Sequence, residues 1–249
     1  MEILILIFVI ALPVLKFVFE YNQYESSNYK QETNNSFLSV YFNKGLNGEY
    51  HLSQYLSSFQ SIGCKCLFNV YIPRNNGKTS EIDVILFHPK GLFVIESKNY
   101  SGWIFGNEKN KYWTQVLPVR RWKSHKERFY NPIMQNATHI RAVRKHIDDT
   151  IPVYSVIAFS DECTFKDVTV KSNVVVTHYS RLYKSINNII SNSNYLIPPE
   201  LLNRTYENLS QFSNVDYSTK IQHIYNIKWP CIMPAVYLYF LHILWILVF

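Results

Sequence analysis

Two long apolar runs bracket the chain, and shorter alternating and helical patterns fill its middle. Ile3 to Phe19 is broken only by Pro13 and Lys16, and Trp229 to Phe249 contains no Asp, Glu, Lys or Arg. A helix needs ~20 apolar residues to cross a bilayer, so the second run has that length and the first falls slightly short. Glu2 stands where a signal peptide carries positive charge, and no small-residue cleavage site follows, so the first run is expected to be an uncleaved anchor. Pro230, Pro234 and His242 keep a buried hairpin or core helix open for the second run, whereas Trp229 and Trp245 suit interfacial anchoring. The expectation is a transmembrane helix at each end.

Between them, residues 20–41 are polar and suggest a linker. Leu46, Tyr50, Leu56 and Phe59 approximate helical spacing. Cys66 to Ile72, Glu81 to Phe87 and Leu92 to Lys98 are strand-like, and His88-Pro89-Lys90-Gly91 has the Pro and Gly placement of a type I turn. A further hairpin is expected over Gly102 to Gln115. Asn131-Pro132 opens a helix to about Asp148, with Pro in its first turn. Val153 to Phe159 and Val174 to Thr177 suit buried strands, and helical patterns follow at Tyr179 to Ile190 and Pro199 to Phe212. The order predicts an α/β domain with a mixed central sheet flanked by helices.

Composition sharpens this picture. With 47% hydrophobic and 17% charged residues, the 249-residue chain can build a core and is not disordered. Four Cys are too few for a disulfide scaffold, and Cys64-Lys65-Cys66 lacks the second pair that a zinc site needs. The net charge of +7 falls entirely within residues 20–228. A basic middle between two apolar ends is expected on the cytoplasmic side of a membrane, with the lipid bilayer as a partner.

The chemistry concentrates in Glu81 to Lys98. In a symmetric hairpin centred between Pro89 and Lys90, Asp83 faces Glu96 and Glu81 faces Lys98. These four would share one face, and Ile82, Val84, Leu86, Phe93 and Ile95 the other. Directly opposed carboxylates repel unless a cation lies between them. Their oxygens suit Mg²⁺, and Lys98 would point at the same place, able to orient or deprotonate water and to offset phosphate charge. An exposed strand end with a routine Glu–Lys pair is the other reading.

Glu81-Ile82-Asp83 followed by Glu96-Ser97-Lys98 resembles the D…(D/E)xK signature of the PD-(D/E)XK nucleases. The surroundings resemble the nuclease-related domain, NERD, of that superfamily. Gly45-Leu46-Asn47-Gly48-Glu49 is similar to its opening helix, and Gly91 to Tyr100 to its core strand. Gly102-Trp103-Ile104, Trp113 and Asn131-Pro132-Ile133-Met134-Gln135 follow in the family order, over residues 42–160. The resemblance implies a restriction-endonuclease-like core and a Mg²⁺- or Mn²⁺-dependent phosphodiesterase. It makes Asp83, Glu96 and Glu49 metal ligands, Lys98 the base or electrostatic stabiliser, and Gln135 the helix amide beside them. Ile82 replaces the Pro of the superfamily's Pro-Asp pair and leaves the carboxylates intact. Glu49 could instead serve the helix dipole, and Gln135 could be a surface amide.

Arg120, Arg121, Trp122, Lys123, Lys126 and Arg128 form a basic stretch around one ring, suited to phosphates and a stacked base or to a solvated loop. His139 and His146 are expected to be surface or packing residues. The expected architecture is an anchor over 1–19, a linker over 20–41, the nuclease-like domain over 42–160, an α/β extension over 161–228 and a transmembrane segment over 229–249. The expected function is a membrane-anchored, metal-dependent endonuclease acting on DNA in preference to RNA, with foreign or plasmid DNA as possible targets. A non-catalytic module that binds nucleic acid or scaffolds is the alternative.

Overall fold

A computed structural model describes residues 2–74, 79–119 and 123–213. The chain opens with helices α1 (Glu2–Glu25), α2 (Asn28–Thr33), α3 (Phe37–Phe42) and α4 (Lys44–Gln60). Strands β1 (Lys65–Pro73), β2 (Thr79–His88), β3 (Gly91–Lys98), β4 (Gly102–Asn107), β5 (Tyr112–Val119) and β6 (Lys123–Tyr130) follow. Then come α5 (Pro132–Val143), β7 (Val153–Phe159), β8 (Cys163–Thr169), β9 (Val175–His178), α6 (Leu182–Asn192) and α7 (Pro199–Ser210).

Local chemistry fixes several boundaries. Asn43 caps α4 by accepting hydrogen bonds from the Gly45 and Leu46 amides. Asn131 does the same for α5 through the Ile133 amide, with Pro132 in the first turn. β2 and β3 pair antiparallel from Val84↔Ile95 to His88↔Gly91, the register that the symmetric hairpin requires. Gly91 closes that turn at φ 150°, where a Cβ would meet the Tyr154 ring at 2.5 Å and the Pro152 carbonyl at 2.9 Å.

The strands form two sheets rather than the single one expected. One runs β1-β2-β3-β7-β9, antiparallel as far as β3 and parallel from β3 to β9. The other runs β6-β5-β4-β8. The first sheet is apolar on both faces because helices cover both. Val84, Leu86, Phe93 and Ile95 pack with Leu52, Leu56 and Phe59 of α4 and Leu182 and Ile186 of α6. Ile85, Phe87, Leu92 and Val94 pack with Ala142 and Val143 of α5 and Leu209 of α7. A third cluster, centred on Trp113, Ile104 and Phe159, joins the second sheet to the first.

The N-terminal membrane helix expected from sequence is not supported. Among the described residues no helix is long and apolar enough to cross a membrane. The apolar run of α1 ends at Phe19, contains Lys16 paired with Glu20, and continues into a polar turn whose Tyr24 is wholly buried in the core. The expected membrane location loses its basis with it. The second apolar run, 229–249, lies outside the described residues. Residues 20–41 carry α2 and α3 and the end of α1, and bury Tyr29, Phe37 and Val40 against α4 and β1. Cys64, Cys66 and Cys163 are free thiols.

Candidate active site

The ladder between β2 and β3 stops at Val84 and Ile95, and Asp83 fills the opening beyond it. Its Oδ2 accepts a hydrogen bond from the Ser97 amide at 2.7 Å. The cause lies in β1, where Asn69 takes φ 53°. Few side chains tolerate that conformation, and Asn is among those that do. Alternation resets at this point. Phe68 and Val84 belong to the α4 side of the sheet, whereas Val70, Ile72 and Ile82 belong to the α5 side. Ile82 therefore does not share a face with Val84, contrary to the simple hairpin expectation.

Glu96 is 1% exposed. Its Oε1 accepts from Lys98 Nζ at 2.6 Å, and the same ammonium donates to Gln135 Oε1 at 3.1 Å. Its Oε2 lies 3.1 Å from His139 Nε2 without the geometry of a hydrogen bond. His139 Nδ1 in turn sits 2.7 Å from Ser80 Oγ. Gln135 and His139 are one turn apart on α5 and so face the same way.

Glu49 enters from the opposite side on α4. Gly48 makes that approach possible, since a Cβ there would stand 2.5 Å from Cβ of Asn99, just past the end of β3. Tyr29 of α2 donates to Glu49 Oε2 at 3.0 Å, and the Asn69 amide also bonds to this carboxyl. Burial, then the charge of Glu81, pushes the Glu49 pKa up to about 8. Burial likewise raises Asp83 well above the usual range, with Glu96 and Glu49 adding to the effect. Burial works against the charges of Glu96 and Lys98 too, but each outweighs it for the other. Glu96, aided by His139, stays below the ordinary carboxylate value, and Lys98, aided by Asp83, stays above the ordinary lysine value.

Glu49, Asp83, Glu96, Lys98 and Gln135 thus meet at one end of the first sheet. Glu81 turns instead to Tyr71, whose hydroxyl donates to its Oε1 at 2.7 Å. Arg120, Arg121 and Trp122 lie outside the described residues, as does the Lys123 side chain. Lys126 and Arg128 are exposed, but on strand β6 rather than in a loop. Tyr29, Asn69, Ser80 and His139 also touch the site and were not assigned to it from sequence. Only His139 had a signal, its spacing of four from Gln135. A buried carboxylate oxygen without a hydrogen bond, Glu96 Oε2, beside two other acids, fits the donor chemistry of a hard divalent ion. Among the described residues, however, no three His, Cys, Asp or Glu side chains gather closely enough to hold one. The Lys98 ammonium occupies Glu96 Oε1 instead.

Comparison with known proteins covers the segment that holds most of these residues. Residues 44–160 match the family profile of the nuclease-related domain. This segment is a nuclease-related domain of the PD-(D/E)XK-like superfamily. NERD domains of this kind are nuclease-related, and their superfamily generally uses divalent metals. The chain is also 38% identical over 144 residues to an uncharacterized protein of Bacillus anthracis, a match covering 57% of this chain and 66% of that protein. The chain therefore spans just under two thirds of that relative. No solved structure matches it. All the convergent residues named above except Tyr29 fall within the NERD segment.

Proposed function

We propose that this chain hydrolyses DNA phosphodiester bonds with Mg²⁺ or Mn²⁺. The observation that carries this reading is the Lys98 ammonium, which donates to the buried Glu96 carboxylate and to Gln135 within the field of Asp83, where β2 and β3 part. Asp83 and Glu96 would hold the ion, and Glu49 would complete the carboxylate set. Such an ion, when bound, polarises a phosphoryl oxygen. Lys98 keeps its proton between two acids, so it acts as a donor that orients water and offsets negative charge on the phosphate. Gln135 fixes the direction of that donor. Ser97 fixes Asp83 through its amide, and Tyr29 and Asn69 fix Glu49.

One observation favours a second reading, a non-catalytic module that binds nucleic acid or scaffolds. Lys98 closes one oxygen of Glu96, and the acids of the described residues do not form a three-ligand cage. Full-length protein incubated with supercoiled plasmid separates the two. Nicking with Mg²⁺ or Mn²⁺, absent in chelator and reduced at least ~100-fold by Asp83→Asn or Lys98→Ala, supports the enzyme. Plasmid retained without nicking under both ions supports the module. Parallel digestion of labelled DNA and RNA decides the substrate.

A further inference from the structure

The second sheet has one face on the core and one mostly in solvent, with Val116 buried among its neighbours on that outer face. Pairing places Trp103 of β4 opposite Val116 of β5, Thr114 opposite Arg128 of β6, and Tyr112 opposite Tyr130. Side chains alternate, so these residues share a face, while Ile104, Trp113 and Phe129 point to the core. The outer face is both aromatic and basic. Trp103, Tyr112 and Tyr130 are 41%, 43% and 43% exposed, and they stand together on one face. Lys166 Nζ stands 5.2 Å from the Trp103 ring, and the Arg128 guanidinium 4.9 Å from that of Tyr112. Lys126 lies beside them, exposed. Asp167 is the one acid on this face among the described residues of the four strands.

We propose that this face is a binding platform for single-stranded DNA, with the rings stacking on bases and the cations meeting phosphates. Charge chooses a polyanion: three cations against one acid would not favour a basic or neutral partner. Flat exposed rings narrow the choice further. In a duplex the base faces are already stacked on one another, so a ring on an open sheet can stack only on bases that are free. Arg128 and Lys166 hold the rings in place by cation–π contact and leave their donors for the backbone. Trp103 follows Lys98 by five residues, so their Cα atoms are at most ~18 Å apart, a span of a few nucleotides. A strand stacked on the platform is thus within reach of the carboxylate site. The proposal extends the nuclease reading by naming the form of DNA that the domain holds, but the platform's binding does not depend on cleavage.

The test is fluorescence anisotropy of a labelled twelve-nucleotide oligo(dT) with the full-length protein in chelator, so that binding is measured whether or not the protein nicks plasmid. Trp103→Ala and Tyr112→Ala should each weaken binding roughly ten-fold while melting at the parent's temperature, and Trp103→Phe should restore most of the loss. Lys166→Gln and Arg128→Gln should each flatten the dependence of log affinity on log salt by about 0.7. Unchanged affinity in both ring variants would overturn the proposal. So would a twelve-base-pair duplex binding as tightly as the single strand, or polyglutamate displacing the oligonucleotide at equal charge concentration. Absence of nicking in the plasmid assay with oligo(dT) binding intact would remove the catalytic reading and leave the platform standing.

Discussion

Glu49 is a carboxyl group buried against other carboxyl groups, with its pKa pushed up to about 8 from an ordinary value of 4.5. Between those two values the folded chain binds more protons than the unfolded one, so stability falls as pH rises through that window. Asp83 shifts in the same direction and adds to the slope. Metal-free protein should therefore lose stability on the order of 3 kcal/mol between about pH 5 and pH 8.5. Glu49→Gln should remove much of that loss. Urea titrations at the two pH values measure both; a parent curve that does not move with pH would contradict the burial of this acid. Sequence could name Glu49, Asp83, Glu96 and Lys98 because their spacing carries the family pattern. It could not name Tyr29 or Asn69. A tyrosine in a polar stretch gives no sign that its hydroxyl reaches a carboxyl twenty residues on, and a left-handed Asn in a strand resembles any other polar interruption.

At the scale of elements, α4 lies against the end of β3 because Gly48 has no side chain. Gly48→Ala adds a methyl group that backbone movement must accommodate, at a cost of about 1–3 kcal/mol. The larger effect should fall on activity, since the helix that withdraws carries Glu49. Plasmid nicking should drop by ten-fold or more while circular dichroism keeps the parent's spectrum, and retained nicking would mean that α4 need not approach so closely. The β2–β3 hairpin was legible from its turn as far as Val84 and Ile95 because Pro89 and Gly91 set a two-residue turn and apolar residues marked its strands; the break beyond, at Asp83, was not. Strand β6 was not. Its composition, Lys123 to Tyr130, is polar along most of its length because one face is in water, and its partner β5 supplies the ordering that composition does not reveal. β8 was missed for the same reason, and the break at Phe165 disguises its period.

For the molecule as a whole, the mixed α/β class followed from the order of strand and helix patterns. The split into two sheets did not, because no local pattern tells whether a strand after β3 continues one sheet or begins another. The apolar length of the first twenty residues suggested a bilayer, but the other end of that helix is committed to protein, with Tyr24 among the aromatic residues of the main core. The first sheet depends on segments far apart in sequence, and a chain cut after residue 150 loses both β7 and β9. Such a fragment leaves β3 with an open parallel edge between two apolar faces, and it should emerge as aggregate. A monodisperse, folded fragment by size-exclusion chromatography would count against that dependence. The pairing of β3 with β7, across residues 99–152, also orders events in time. During synthesis the ribosome releases Asp83, Glu96 and Lys98 first, while the helix that brings Gln135 and the strand that seats it are still to come. Closing so long a loop is slow compared with forming the hairpin. The growing polypeptide carries its acids before the strand that seats them exists, so any cutting it performs waits on residues translated well after the acids themselves.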